Sequence, residues 1–331
     1  MERRPNIADV ARLAGVSTAT VSRTLSTPER VGAPTRARVL EAVAASGYRA
    51  NAAARDLRQR RARAITLLAP NLANTFFSSI IAAVQEVADT AGLTVQISDS
   101  QVEGMRLAGL GADGRTDGIL LLDGQLDPAM VKGWSVPIVM VCEWMPDATL
   151  PSVSTDNVAG ARLAVDHLLD LGHLRIACLG GPEGNVLSAA RAEGWRAALS
   201  ARGVSPRPQD LIAGDFTMAR GVAAAWDWAA QTDRATAVFC TSDESALGFI
   251  SECDRLGISV PRDVSVVGFD DIEFSDRFIP PLTTVHQPRR QMGLLAAKQL
   301  VSALTEARPL DVAAEVLPSR LVVRASTTSP L

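Results

Sequence analysis

The sequence predicts a small all-α domain followed by a larger α/β body with parallel sheets. Capped amphipathic helices fill the first fifty residues, and short apolar strands alternate with longer helical segments from about residue 64. The charge divides at the same point. Residues 1–63 contain thirteen arginines and five acidic residues, a balance of +8, whereas the remainder contains 20 basic and 31 acidic residues, a balance of −11. A small cationic domain on an acidic body indicates a polyanionic partner at one end of the chain.

The small domain begins with two short helices joined by a turn. Asn6 is placed to N-cap the first helix, with Asp9 in the reciprocal position of a capping box. Gly15 stands where a helix favours a left-handed residue, and Ser17 can cap a second helix directly afterwards. A third helix is predicted to begin near Pro34. Two helices joined by a glycine-containing turn and covered by a third predict a helix-turn-helix domain.

The second helix offers the side chains expected of a DNA reader. Its small residues allow a close approach to the major groove, and Arg23 can pair with a guanine through two hydrogen bonds. The alternative is a generic three-helix bundle with an exposed arginine. The candidate DNA-contacting residues of this helix are Ser17, Thr18, Ala19, Thr20, Ser22 and Arg23.

A family resemblance rests on the segment IADVARLAGVSTATVSRTLSTPERV and the segment TRARVLEAVAASGYRANAAARDL that follows. Together they resemble the N-terminal domain of LacI/GalR-type bacterial repressors nearly position for position. The resemblance implies a hinge helix that starts at Asn51, with Leu57 wedged beside Ala54 into the central minor-groove step of a kinked operator. The chain departs from the family at Ala50, where a proline usually precedes the hinge asparagine.

The body reads as a series of buried strands and amphipathic helices. Strands are predicted at 65–69, 93–97, 118–122, 138–142, 176–179, 237–241 and 264–269. Helices are predicted at 77–91, 157–171, 190–202, 246–256 and 291–304. This alternation is typical of doubly wound parallel sheets, and there are too many strands for one compact sheet. We therefore expect two lobes, with a ligand at the carboxyl ends of the strands.

The resemblance continues through STDNVAGARLAVDHLLDLGHLRIACLGGP, TAVFCTSDESALG and VPRDVSVVGFDDIEFSDRFIPPLTTVHQP. It implies a core related to periplasmic sugar-binding proteins, with two lobes joined by three crossovers and dimerisation along their sides. The expected domains are a headpiece at 1–50, a hinge and linker at 51–63, and an effector-binding core at 64–331. Lobe one would comprise 64–157 and 288–316, and lobe two 158–287 and 317–331.

The resemblance also implies an effector site with carboxylate, guanidinium and aromatic groups, a set suited to a polyhydroxylated ligand. Three alternatives stay open: Phe76 belongs only to the core, Asp243 caps the helix of SDESALG, or Asp270 and Asp271 form a solvated pair. The candidate effector-binding residues taken from matching motifs are Phe76, Phe77, Arg191, Phe216, Ser242, Asp243 and Asp270.

The segment VMVCEWMPDATLPSVSTDN most resembles a nucleoside-responsive member of the family. Glu143 could accept a hydrogen bond from a base amino group, and Trp144 or Phe216 could stack on the base. The alternative is that Glu143 pairs with an arginine and Trp144 only packs. A free pentose or hexose is the alternative effector.

Nothing in the sequence predicts an enzyme, a metal site or a cofactor. GGPEGN matches neither of the glycine-rich nucleotide-binding motifs GxGxxG and GxxxxGK[ST]. The four cysteines are far apart in the sequence, and we expect them to be reduced thiols. With no apolar signal core after MERRPNIADV, the chain is expected to be cytoplasmic. The predicted function is a homodimeric repressor of a near-palindromic double-stranded DNA operator. Its effector would act as an inducer, with co-repression as the alternative. A periplasmic-type solute-binding protein is the other reading, but it leaves residues 1–63 unexplained.

Overall fold

The structure, a computed structural model, describes residues 5–48, 61–101, 104–306 and 309–331. It divides into two compact units between Ala62 and Arg63. The hinge prediction at Asn51, Ala54 and Leu57 lies outside the described residues.

The headpiece consists of helices α1 (Ile7–Ala14), α2 (Thr18–Ser26) and α3 (Ala33–Ser46), with a 3-10 turn at Pro28–Arg30. The predicted caps are confirmed. Asn6 accepts hydrogen bonds from the first turn of α1, and the Asp9 carboxylate accepts one from the Asn6 N–H. Gly15 has a φ of 64°, and Ser17 accepts from the Thr20 N–H. The core that holds the three helices together consists of the buried side chains of Val10, Ala11, Ala14, Val21, Val39 and Ala42.

The first lobe is a six-stranded sheet in the order β11-β5-β4-β3-β1-β2, with every pairing parallel. Its strands are β1 (Ala64–Ala69), β2 (Thr94–Asp99), β3 (Gly118–Leu121), β4 (Ile138–Val141), β5 (Ser152–Thr155) and β11 (Ala314–Leu317). Its helices are α4 (Ser78–Thr90), α5 (Gly104–Leu110), α6 (Pro128–Lys132) and α11 (Arg289–Glu306).

The second lobe repeats this plan in the order β12-β10-β9-β8-β6-β7, in which β12 runs antiparallel to its neighbour and the other pairings are parallel. Its strands are β6 (Ile176–Leu179), β7 (Leu211–Ile212), β8 (Ala237–Cys240), β9 (Ser265–Asp270), β10 (Thr283–His286) and β12 (Arg320–Val322). Its helices are α7 (Asn157–Asp170), α8 (Val186–Ala201), α9 (Met218–Ala229) and α10 (Asp243–Arg255).

The chain crosses between the lobes three times: from β5 to α7, from β10 to α11 and from β11 to β12. Helices pack in pairs against the sheets, and two pairs meet at glycines. A Cβ on Gly194 of α8 would overlap the Val158 carbonyl of α7, and one on Gly293 of α11 would overlap the Ile80 carbonyl of α4. These close approaches hold each lobe as a rigid layer beside the cleft. Among the described residues, no helix is long and apolar enough to cross a membrane.

Candidate DNA-binding face and effector cavity

The outer face of α2 forms a shallow groove in the headpiece. Ala19 and Thr18 are exposed at its N-terminal end, where their small size leaves the backbone accessible. Arg23 is exposed and has no ion-pair partner among the residues that the structure describes. Ser17 and Thr20 hydrogen-bond each other through their hydroxyls at 2.9 Å, so both serve the cap of α2. The groove is lined by Ile7, Thr18, Ala19, Ser22, Arg23, Ser26 and Thr27.

In the core, a cavity of about 390 Å³ lies between the lobes, where the strands of both sheets end. This volume is at the lower end of the range of about 300–1,000 Å³ usual for small-molecule sites. Phe76 and Phe77 of the first lobe meet edge to face, with ring centroids 5.3 Å apart. The sequence-predicted residues that line the cavity are Phe76, Phe77, Glu143, Arg191, Phe216, Ser242 and Asp270.

Asp270 is the carboxylate at the end of β9. Its side chain is buried and accepts a 2.6 Å hydrogen bond from Gln287, which in turn accepts one of 2.8 Å from Thr155 of the first lobe. Burial raises the pKa of Asp270 above its ordinary value, and the nearby charge of Arg191 partly opposes that shift. The alternative of a solvated pair is wrong, because Asp271 is bonded instead to Arg324 at 2.6 Å.

Arg191 enters the cavity from α8 with its side chain almost fully buried. Its Nε donates to the Asn157 side chain at 2.9 Å and its Nη1 to the Thr241 carbonyl at 2.5 Å, while Nη1 lies 3.7 Å from Asp270 Oδ1. The guanidinium carbon also sits 3.9 Å from the ring centroid of Phe269. These partners fix the guanidinium beside the carboxylate.

Phe216 closes the cavity from the second lobe. Its backbone has a φ of 65°, which is unusual for a residue with a side chain. A Cβ on Gly181 would overlap the Phe216 ring, so the glycine after β6 makes room for the ring. The guanidinium carbon of Arg191 lies 5.5 Å from the ring centroid, so the ring has a cation at one side and the cavity at another.

Glu143 follows β4 and is almost completely buried. Its carboxylate accepts hydrogen bonds from the Gly124 N–H at 2.7 Å and from the Asn185 amide at 2.8 Å. The alternative that Glu143 pairs with an arginine is therefore wrong. Burial raises the pKa of Glu143 above its usual value, and these two donors oppose that shift. Trp144 is partly exposed and is not among the residues lining the cavity.

Asp243 does not line the cavity, although its motif placed it there. Its side chain is fully buried behind the wall and accepts hydrogen bonds from Ser275 and Thr284. It does not cap α10 either, because the N-cap is Ser242, whose hydroxyl accepts from the Ser245 N–H. Phe76, for which a purely core role was the alternative, is both buried and part of the lining.

Comparison with known proteins decides the family. A model described as bacterial regulatory proteins, lacI family, matches residues 6–51, and a periplasmic binding protein-like domain matches residues 165–327. The HTH-type transcriptional repressor CytR of Escherichia coli (strain K12) is 35% identical over 98% of this chain and 97% of its own. The chain belongs to the lacI family of bacterial regulatory proteins. It is a transcriptional regulator with a DNA-binding headpiece and an effector-binding core.

Other relatives of this lacI-family regulator span its full length. The repressor PurR of Photobacterium profundum is 33% identical over 97% of this chain and 98% of its own. The lac repressor dimer bound to operator and the anti-inducer ONPF is 30% identical, with a TM-score of 0.86 over 98% of this chain and 100% of that one. The transcriptional regulator CelR in complex with cellobiose is 33% identical, with a TM-score of 0.75 over 98% of this chain and 100% of that one.

Several cavity residues of the regulator were not predicted from its sequence. Asp123, at the end of β3, accepts hydrogen bonds from the Ser100 hydroxyl at 2.5 Å and from the Gln125 N–H at 2.8 Å. Its position directly after a buried apolar strand was the available signal, the same one that marks Asp270. Asn185 caps α8 and reaches across to Glu143, and no local pattern indicates that second contact.

Across the described ranges, no group of three or more histidine, cysteine or acidic residues could hold a metal ion. Cys142 lines the cavity, but burial raises its pKa far above the usual value and keeps the thiol protonated. His173, just beyond the end of α7, is buried, and its ring hydrogen-bonds the Thr236 hydroxyl and the Thr328 carbonyl.

Proposed function

We propose that this regulator is a homodimeric repressor of a near-palindromic operator, and that an uncharged nucleoside bound between the lobes controls its operator affinity. The observation that carries the proposal is the cavity, which combines buried carboxylates, one arginine and aromatic rings in a chain that also has a groove-reading headpiece. The proposal assigns the cavity to binding and not to catalysis, and it places the protein in the cytoplasm, where operator DNA is found.

Charge supports an uncharged effector. Among the described residues, four acidic side chains line the cavity, namely Asp123, Glu143, Asp215 and Asp270, against the single cation of Arg191. Three of the four acids are buried, and Arg191 already donates to two acceptors and lies 3.7 Å from the Asp270 carboxylate. A phosphate would meet this excess of negative charge in a poorly solvated space, whereas hydroxyl and amino groups would find acceptors. A nucleoside therefore fits better than its nucleotide.

The geometry offers separate places for a sugar and a base. Asp270 and Arg191 lie side by side at the end of β9, as a fork that can hold ribose hydroxyls. The rings of Phe76 and Phe216 supply apolar faces for a heterocycle. Glu143 retains lone pairs for an amino group, because each oxygen has one protein donor. The resemblance of the segment VMVCEWMPDATLPSVSTDN to a nucleoside-responsive member of the family also favours this class.

A free sugar is the second candidate, and solved relatives favour it. CelR is seen with cellobiose, and a regulator from Enterococcus faecium, 26% identical with a TM-score of 0.73, is seen with ribose. Thermal-shift screening separates the classes: cytidine, uridine, adenosine and inosine are compared with ribose, larger sugars and the 5′-monophosphates. A ligand at 100 times its Kd stabilises the core by about 2.7 kcal/mol. Stabilisation by a sugar without any from a nucleoside would refute the nucleoside assignment.

The DNA-binding half has its own test. One headpiece reads few base pairs, so two copies on an inverted repeat supply the affinity, as in the lac repressor dimer bound to operator. Selection from random DNA should enrich an inverted repeat, and binding should weaken steeply with salt because residues 1–63 carry a balance of +8. Failure to enrich any such repeat would refute operator recognition.

Whether the effector weakens or strengthens operator binding depends on which arrangement of the two lobes it binds more tightly. We assign induction, in which the nucleoside shifts the lobes and weakens operator binding. Titrating the identified ligand into the operator complex measures the sign directly. A tighter complex would show co-repression and overturn the assignment.

A further inference from the structure

The carboxylate of Asp243, at the start of α10, is buried directly behind the cavity wall. It accepts hydrogen bonds from the Thr284 hydroxyl of β10 at 2.5 Å, the Ser275 hydroxyl at 2.6 Å and the Ile272 N–H at 3.0 Å. The three donors come from a strand and from the loop after β9. One carboxylate therefore ties the loop after β9 and strand β10 to the start of α10, which lies 29–41 residues earlier in the chain.

The loop that Asp243 holds starts with a strained turn. Asp270 has a φ of 125° and Asp271 a φ of 54°, and both values lie in the region that favours glycine. Non-glycine residues keep such a backbone only where surrounding contacts impose it. The bond from the Ile272 N–H fixes the residue directly after this pair. A Cβ on Gly268 of β9 would overlap the Asp243 carboxylate, so the strand also passes directly against it.

We propose that Asp243 is the positioning residue for Asp270: its buried carboxylate imposes the turn that presents Asp270 to the effector. This inference rests on the proposed role of Asp270 in effector binding. Without the Asp243 carboxylate, the turn would lose its bond from the Ile272 N–H, and the carboxylate of Asp270 would no longer be held in the orientation that faces the effector.

The two carboxylates also interact through their charges. Burial and the charge of Asp270 raise the pKa of Asp243, and burial raises that of Asp270. The other titratable groups around the pair include the cations Arg191 on α8 and Arg289 on α11. The buried thiols of Cys240 at the end of β8 and Cys142 after β4 also lie near the pair. Removing the charge of Asp243 leaves both cations beside Asp270 and should let Asp270 ionise at lower pH.

The test compares wild type, Asp243→Asn and Asp254→Asn as full-length proteins labelled with ¹³C at the aspartate carboxyl. Asp254 is exposed on the same helix, so its variant is the matched control. The Asp270 signal is identified by its loss in Asp270→Asn and followed through a pH titration. Asp243→Asn should move the Asp270 midpoint to lower pH, and the control should leave it in place. A purely structural role would not move the midpoint, so an unchanged midpoint overturns the proposal.

Ligand affinity is the second readout, measured with whichever nucleoside or sugar binds in the screen. Asp243→Asn should weaken binding of that ligand roughly tenfold or more. The asparagine NH2 group would face one of the three hydrogen-bond donors where the aspartate has an acceptor oxygen. Undiminished affinity would overturn the positioning role, whereas a failure of every nucleoside and sugar to bind would refute only the proposed function. Should Asp243→Asn not fold, Thr284→Val takes its place. Losing that hydroxyl keeps Asp243 protonated to higher pH, so the Asp270 midpoint should again fall.

Discussion

The carboxylate of Glu143 in the first lobe accepts a 2.8 Å hydrogen bond from the side-chain amide of Asn185 in the second. Since the other Glu143 oxygen is held by the Gly124 N–H, the acid ties a loop of its own lobe to the start of α8. A second bond across the cleft runs from the Gln125 amide to the Glu183 carbonyl at 3.0 Å. The lobes therefore contact each other directly at the cavity, and an effector must accommodate or replace these bonds.

Substitution of Asn185 tests this contact. Asn185→Ser and Asn185→Asp both keep an oxygen that can cap α8, but only the aspartate places a second carboxylate against Glu143. At pH 8 we expect Asn185→Ser to lower the free energy of unfolding by about 1.5–3 kcal/mol, since a buried charged group loses its donor. Asn185→Asp should cost more. Lowering the pH to 5 should reduce that excess, because the paired acids can then share a proton. Urea unfolding measures both, and equal losses at both pH values would contradict the role of the contact.

Arg23 tests base reading by α2. Arg23→Ala should cost about 1–3 kcal/mol at one base position of the operator and relax specificity there. Arg30→Ala is the control, because Arg30 is exposed beyond α2 and outside the groove. The affinities of wild type and both variants are measured on an operator library randomised at each position. A uniform loss over all sequences would show that Arg23 only contacts a phosphate.

The pairing of Arg191 with Asp270 is testable by a double-mutant cycle. Arg191→Ala should destabilise the core by about 3–5 kcal/mol, because a buried carboxylate loses the cation that lies 3.7 Å away. Adding Asp270→Asn should recover part of that loss, giving a coupling energy in urea unfolding. Arg202→Ala breaks an exposed ion pair with Asp170 just after α8 and should cost far less, because solvent screens that pair. Strict additivity of the Arg191 and Asp270 losses would refute the pairing.

His173 predicts a pH dependence of stability. Its ring is buried against the Thr236 hydroxyl and the Thr328 carbonyl, and burial lowers its pKa below 6.5. Because the folded protein favours the neutral ring, the stability that the buried ring contributes is fully present above pH 6.5. It is lost as the pH falls below 6.5, where the unfolded chain takes up the proton first. The difference in melting temperature between wild type and His173→Gln should therefore shrink from pH 7.5 to 5.5. A constant difference would contradict the linkage, and His286→Gln, which retains His173, serves as the control.

The elements that sequence analysis predicted are those with local signals. The caps at Asn6 and Ser17 and the apolar runs of β1 and β9 are each readable within a few residues. The strands β5, β7, β10, β11 and β12 were missed because each is either two or three residues long or mixes polar with apolar residues, whereas the equally short β3 and β4 are wholly apolar runs. Helices α5, α6 and α9 were also missed, the first two because they are short.

The site was harder to predict because its contacts join distant residues. Asn185 lies 42 residues from Glu143, and the packing of the two lobes against each other brings them together. The motif containing Asp243 pointed to the correct end of β8, but burial and three donors turned that side chain away from the cavity. Sequence position therefore placed residues near the site, while packing between the segments decided which of them face it.

The order in which the chain leaves the ribosome constrains how the core can form. The first five strands of the first lobe are synthesised early, yet α11 and the edge strand β11 that complete it come after all but one strand of the second lobe. The apolar face that α11 covers, including Ile80 of α4, therefore remains uncovered through most of translation. The headpiece, by contrast, is contiguous and can fold as soon as it emerges. A nascent chain stalled before residue 289 would therefore carry a finished DNA reader on an unfinished core.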